Sequence, residues 1–178
     1  MRGKIVCLFL MLLPVLTTAE ILKYAVPSSK GLDLYWWPKL GKLKGWSHDE
    51  AASRLDKINV LVPKGFTYDS AVAVIYGRAC YKPKVDEKTL AAFIESDKKG
   101  FKEDHPELTI SEVKPLVDGD NVPIRSVEFF PKTKGNWERV SYLEEGDFYV
   151  IFTLSSRTRA AFDKALPAYS QLIRDYKR

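Results

Sequence analysis

Between residues 109 and 154 the chain sets four β-rich runs between three short turn compositions, and this succession restricts the fold more than any other feature. The runs cover 109–116, 122–130, 137–143 and 148–154. Each carries the Val, Ile, Tyr and Phe content that suits a pleated, half-buried surface. Between them lie Asp118-Gly119-Asp120-Asn121, residues 131–136, and Glu144-Glu145-Gly146-Asp147. Gly, Asn and Asp accept the positive φ that tight reversals demand. Links this short require antiparallel neighbours, because a parallel pair needs a crossover of roughly a dozen residues.

Two further strands are expected upstream, at 58–62 before Pro63-Lys64-Gly65 and at 71–81, and they can form a hairpin. In the second, the two-residue period puts Val72, Val74, Tyr76, Arg78 and Cys80 on one face. Ala71, Ala73, Ile75, Gly77 and Ala79 make up the other, whose small side chains let a helix approach closely. Asp86 can cap a helix starting near Glu87, with Leu90, Phe93, Ile94 and Phe101 along one side, and Pro106 ends it by Asp104 or His105. A last helix over 157–177 carries Phe162, Leu166, Tyr169, Ile173 and Tyr176 as an apolar stripe. Pro167 interrupts that stripe and predicts a kink or a break near Ala165. These elements make one α+β domain over 58–178, with a mainly antiparallel sheet flanked by a middle helix and a C-terminal helix.

Residues 20–57 read as an N-terminal arm. Pro27, Gly31, Pro38, Gly41 and Gly45 punctuate an irregular pattern around Tyr35-Trp36-Trp37. Ser47 followed by Glu50 has the reciprocal spacing that satisfies free amides at a helix start, and it admits one short helix or turn there. The first 19 residues have a different character. Arg2 and Lys4 precede an apolar run from Ile5 to Leu16, broken only by Pro14, and Thr17-Thr18-Ala19 supplies the small residues a signal peptidase reads. A membrane span needs about 20 apolar residues, so the run fits a signal peptide cleaved after Ala19; the competing reading is an uncleaved signal anchor. Cys7 lies inside the run, away from any lipoprotein cleavage site. The expected destination is the periplasm or the exterior, with no transmembrane segment in the mature chain.

Loss of the leader removes Arg2 and Lys4, which takes the 28 basic residues to 26 against 23 acidic ones, a formal charge of +3. It also removes Cys7 and leaves Cys80 as the only thiol, so the mature fold is held by core burial without an internal disulfide. With 46% hydrophobic and 29% charged residues the chain is neither disordered nor collagenous. The export signal and the small positive charge argue against nucleic acid as a partner.

The strand pair at 138–142 and 149–155 leads directly into a helix reading Phe162-x4-Pro167-x-Tyr169-x3-Ile173-x2-Tyr176. This arrangement resembles the PsbP/Mog1/DcrB-like superfamily, and the order of elements is similar from about Ile58 onward. The resemblance implies an α/β/α sandwich around an antiparallel sheet. It also implies small non-catalytic proteins that bind or assemble with partners, among them a photosystem subunit and a nuclear transport factor. The shared pattern is one of apolar positions, so it carries over no functional residue, and a photosynthetic role does not follow.

No catalytic or cofactor motif stands out, so the expected function is an exported non-catalytic module that binds or assembles with an unknown protein or small ligand of the cell envelope. Two alternatives remain open at this point. A small periplasmic enzyme would use Cys80 or His48, although a buried strand cysteine is usually inert packing. An envelope-surface binder would use the arm, where Trp36, Trp37 and Trp46 are interleaved with Lys39, Lys42 and Lys44; such rings otherwise clamp an arm to its domain. Arg78, Arg125 and Arg139 fall on three strands and can converge on an anion if their faces coincide, or else pair with carboxylates such as Glu128 and Glu138. Two histidines, His48 and His105, do not build a common zinc site alone, so no metal is expected. Ser155-Ser156-Arg157 lacks the turn that exposes a nucleophilic serine and reads as helix capping.

Overall fold

The four β-rich runs between residues 109 and 154 form the strands β6 (Thr109–Val117), β7 (Pro123–Phe130), β8 (Trp137–Glu145) and β9 (Phe148–Ser156), each antiparallel to the next. They belong to a computed structural model that describes residues 21–29, 31–132 and 135–178. The leader and its cleavage point lie outside the described residues. The β8–β9 reversal is two residues long, and Gly146 takes φ +50° at its first position, the place where such turns need a left-handed residue. The β6–β7 turn is built on Asp118, whose Oδ1 accepts from the amides of Asp120 (3.0 Å) and Val122 (2.8 Å), while Asn121 adopts φ +62°.

Upstream lie β1 (Ile21–Ser28), β2 (Gly31–Pro38), β3 (Trp46–His48), α1 (Glu50–Asp56), β4 (Asn59–Pro63), β5 (Ala73–Tyr81) and α2 (Leu90–Asp104), and α3 (Arg159–Asp175) follows β9. The strand order is β1-β2-β5-β9-β8-β7-β6, with every pairing antiparallel, and β3 joins through β4. Two strands share the outer edge of β5: β4 pairs along Ile75–Gly77 and β2 joins at Ala79. Gly77 sits at that junction, where an added Cβ would lie 2.8 Å from Pro38 Cγ. The result is an α+β fold of nine strands and three helices among the described residues.

Alternation along the strands divides the sheet into two faces. Ile75, Leu143, Val150, Phe152 and Leu154 meet Phe162, Tyr169, Leu172 and Ile173 of α3. On the other side Val127, Phe129, Val140, Tyr142 and Ile151 meet Phe93 and Ile94 of α2. The stripe expected on the last helix therefore forms, but the break expected at Pro167 does not, because α3 runs through it without interruption. Pro167 is exposed, while Ala165 and Tyr169, two residues away on either side, are buried. Each large buried side chain contributes about 1.5–3 kcal/mol, which together exceeds the cost of about 3 kcal/mol for one interior proline.

Three local expectations need correction. The irregular arm is the β1–β2 hairpin, paired from Ile21↔Pro38 to Ser28↔Gly31. Its strands are apolar on both faces, so the two-residue period is not visible. The α2 N-cap is Thr89, whose hydroxyl accepts from the Ala92 amide at 3.2 Å, rather than Asp86. Helix α1 is capped by Asp49, whose carboxylate takes the Ala52 amide with one oxygen and the Tyr68 amide with the other; the Ser47–Glu50 box is not the device used.

Candidate functional site

The aromatic arm does not make one platform. Trp36 and Trp37 are adjacent on β2, so their rings leave opposite faces. Trp37 is 2% exposed and packs against Tyr24 (4.2 Å between centroids), Tyr35 (5.6 Å) and His48 (6.1 Å). Its indole Nε1 has no partner among the described residues. Trp36 is half-buried on the α3 side, 5.4 Å from Tyr81 and 5.9 Å from Phe148, with Lys84 Nζ 5.2 Å above its ring. Both rings join the hairpin to the sheet.

The three arginines divide between the faces. Arg78, Ile151, Tyr142 and Arg125 form one cross-strand row on the α2 side. Three strand spacings of about 4.8 Å separate its ends by about 14 Å, so the two guanidinium groups do not converge on one small anion. Arg125 instead bonds Glu112 at 3.1 Å. Arg78 reaches Asp97 of α2 at 3.5 Å, and the same carboxylate accepts the Tyr142 hydroxyl at 2.6 Å. Arg139 points to the α3 side and pairs across strands with Glu128, Nε to Oε1 at 2.9 Å. The cross-strand alternative therefore holds for Arg139.

Cys80 lines a cavity of about 350 Å³ under α2 with Arg78, Phe93, Ser96, Asp97 and Phe101. A neighbouring cavity of about 280 Å³ shares Arg78, Asp97 and Phe101 and adds Tyr76 and Thr153. Burial pushes the Cys80 thiol up; Arg78 pulls it down less strongly, and Asp97 adds to the rise. This setting suppresses a thiolate. His48 Nε2 lies 3.0 Å from Ser53 Oγ, but Ser53 is 0% exposed, donates to the Asp49 carbonyl at 2.6 Å and accepts from the Val60 amide at 2.9 Å. The hydroxyl proton is already committed, so the imidazole acts here as a donor that ties α1 to β3 and β4. His105 is exposed, 4.0 Å from Glu107. Farther along the same sheet face, Glu138 is buried and accepts from Ser155 Oγ at 2.6 Å, and desolvation raises its carboxyl above the usual range.

The third tryptophan leads to a different place. Trp46 is half-buried on β3 and lines a groove of about 590 Å³, more capacious than the two cavities under α2. Trp46, Pro63, Phe66 and Val72 form one wall, and Ala160, Ala161 and Ala165 of α3 form the other. Phe66 is 53% exposed and Val72 45%. Backbone bonds fix the first wall: Lys64 N to Gly45 O at 2.9 Å, Phe66 N to Pro63 O at 3.1 Å and Arg157 N to Val72 O at 2.9 Å. Gly45 and Gly65 turn the chain there at φ +82° and +87°. Sequence reasoning missed Phe66, Val72 and the alanines. The one signal available was a run of small residues at 160, 161 and 165 beside the stripe that packs on the sheet.

A scan against protein-family models finds no match to the chain, and a search of curated proteins finds none either. Among the described residues no helix is long and apolar enough to cross a membrane, and no group of three His, Cys, Asp or Glu side chains could hold a metal ion.

Proposed function

We propose that the chain is an exported, non-catalytic binding module, working in the periplasm or outside the cell after cleavage behind Ala19, and that the groove between β3, β4 and α3 is its ligand site. The observation that carries this reading is an open apolar recess of about 590 Å³ with half-exposed Phe66 and Val72 at its mouth. Ligand pockets run from about 300 to 1,000 Å³ and are lined mainly by apolar side chains with a few polar groups. The reading extends to the architecture, an α/β/α sandwich of the PsbP/Mog1/DcrB-like kind, supported by the separate apolar clusters that join α3 and α2 to different strand residues. Against a Cys80 or His48 enzyme stand the suppressed thiolate and the committed Ser53 proton. Against a surface binder on the arm stands the burial of Trp37.

The test uses N-phenyl-1-naphthylamine, a neutral apolar fluorophore, added to protein purified from cells expressing the full chain. Enhanced emission is expected, and Ala160→Trp, at an exposed groove position, is expected to abolish it without changing the circular dichroism spectrum. Emission unaffected by this substitution, or no emission at all, refutes the groove as the binding site.

A further inference from the structure

Resting on that reading, we propose that the ligand is a single-chain amphiphile with an acceptor-only anionic head, specifically a long-chain carboxylate. The groove's lining residues carry three polar side chains: the Trp46 indole, the Thr158 hydroxyl and the Lys164 ammonium. The indole N–H and the ammonium can only donate. Thr158 Oγ1 accepts from the Ala161 amide at 3.2 Å as the cap of α3, which leaves its proton and one lone pair free. The side chains therefore offer donors and one positive charge, and no carboxylate, amide or imidazole lines the site. Lys164 is one turn beyond Ala160 and Ala161, so it stands over the same face of the helix. The nearest acidic neighbour in sequence, Asp163, is held by Arg159, whose Nε lies 2.9 Å from both carboxylate oxygens.

The alternatives fit less well. A bound peptide brings alternating backbone N–H and C=O groups, each needing a partner once dehydrated, and the groove's side chains offer the N–H groups a single acceptor, the remaining lone pair of Thr158 Oγ1. A sugar hydroxyl has the same need for both kinds of partner. A cationic amphiphile would place its charge against Lys164. A methylene chain asks for no hydrogen bond, and the alanines of α3 leave room for it beside Trp46 and Phe66. A carboxylate head suits the arrangement, because each of these three side chains can donate to it and the ammonium adds a charge-assisted bond.

The same purified protein tests the proposal by displacement of N-phenyl-1-naphthylamine with octanoate, decanoate, dodecanoate and dodecyltrimethylammonium, each below its micellar concentration. Affinity is expected to rise about fourfold per methylene along the carboxylates. Dodecanoate should outcompete the ammonium of equal length, and Lys164→Gln should weaken dodecanoate on the order of tenfold more than it weakens the neutral fluorophore. If the fluorophore binds in the groove but the ammonium displaces it as well as dodecanoate does, the carboxylate assignment is overturned and the binding-module reading survives. If the fluorophore does not bind in an Ala160→Trp-sensitive way, both are overturned.

Discussion

Arg139 separates a structural role from a ligand-binding one, and the separation can be measured. Its guanidinium meets Glu128 through Nε at 2.9 Å and through Nη2, and the two side chains are 18% and 11% exposed. Substitution by Met keeps the aliphatic bulk and removes the charge, stranding a carboxylate that water reaches poorly. Breaking a buried pair from one side costs about 3–5 kcal/mol. The residual exposure of both partners puts this site at the low end, about 3 kcal/mol. For a domain of this size each kcal/mol moves Tm by about 2–4 °C, so Arg139→Met should melt about 6–12 °C lower. Urea unfolding followed by tryptophan fluorescence gives the free energies. The double variant Arg139→Met/Glu128→Leu should recover most of the loss, with a coupling on the order of 2–3 kcal/mol. A single-variant cost below about 1 kcal/mol, the value of an exposed pair, or strict additivity in the double variant, would refute this account and return Arg139 to the pool of ligand-binding arginines.

Gly77→Ala should destabilise by about 1–3 kcal/mol in the same unfolding assay, because its Cβ would lie 2.8 Å from Pro38 Cγ and 3.3 Å from Leu40 Cδ2 and Phe152 Cδ1; an unchanged midpoint would mean that the β2, β4 and β5 junction is not tight. Burial raises the Glu138 carboxyl, with the Ser155 hydroxyl acting in the opposite sense. A raised acid favours folding below its unfolded value, and that contribution is lost as pH climbs through the folded one. Glu138→Gln should therefore gain stability relative to the parent between pH 4 and pH 7, and a constant difference across that interval contradicts the assignment. Cys80 should react slowly with a disulfide reagent at pH 8 in the native state and rapidly in urea, as read by peptide mapping; fast native modification would reinstate a reactive thiol.

Much of the fold is legible because its signals are local. The four runs from 109 to 154 declare themselves through composition and through turns such as Asp118–Asn121, where the side chain itself closes the reversal. The stripe from Phe162 to Ile173 is likewise complete within one helix, with Tyr176 continuing it at the C-cap. The β1–β2 hairpin is hidden because Leu32 and Leu34 are exposed on one face while Tyr35 and Trp37 are buried on the other, so both faces are apolar and alternation vanishes. The cap positions differ because Asp49 and Thr89 lie close to the residues expected, and only the three-dimensional path of the chain decides among them. The Glu128–Arg139 pair could be anticipated as a cross-strand contact. The groove could not, since Trp46, Phe66, Val72 and Ala160 come from four segments that local periodicity does not connect. They meet only once the β3–β4–β5 register and the β9–α3 turn are set.

The two sheet faces and the groove differ in how far their polar groups are already answered. On the α3 side, the Tyr169 hydroxyl is hydrogen-bonded to Ser141 Oγ (2.7 Å) and the Phe152 carbonyl (3.0 Å), and Ser126 joins Ser141 at 2.8 Å. A guest there would have to displace a satisfied, fully buried network. Under α2 there is space, but its main polar groups are engaged with one another: Asp97 with Arg78 and Tyr142, and Glu138 with Ser155. Entry of an anion there would have to pull Arg78 from Asp97 while leaving Tyr142 and the carboxylate in place. In the groove the balance reverses, since a tryptophan and a lysine line an apolar trough whose side chains carry more donors than acceptors and include no carboxylate. A ligand there displaces water from these donors but breaks no bond within the protein, which makes it the place where binding carries the least opposing cost.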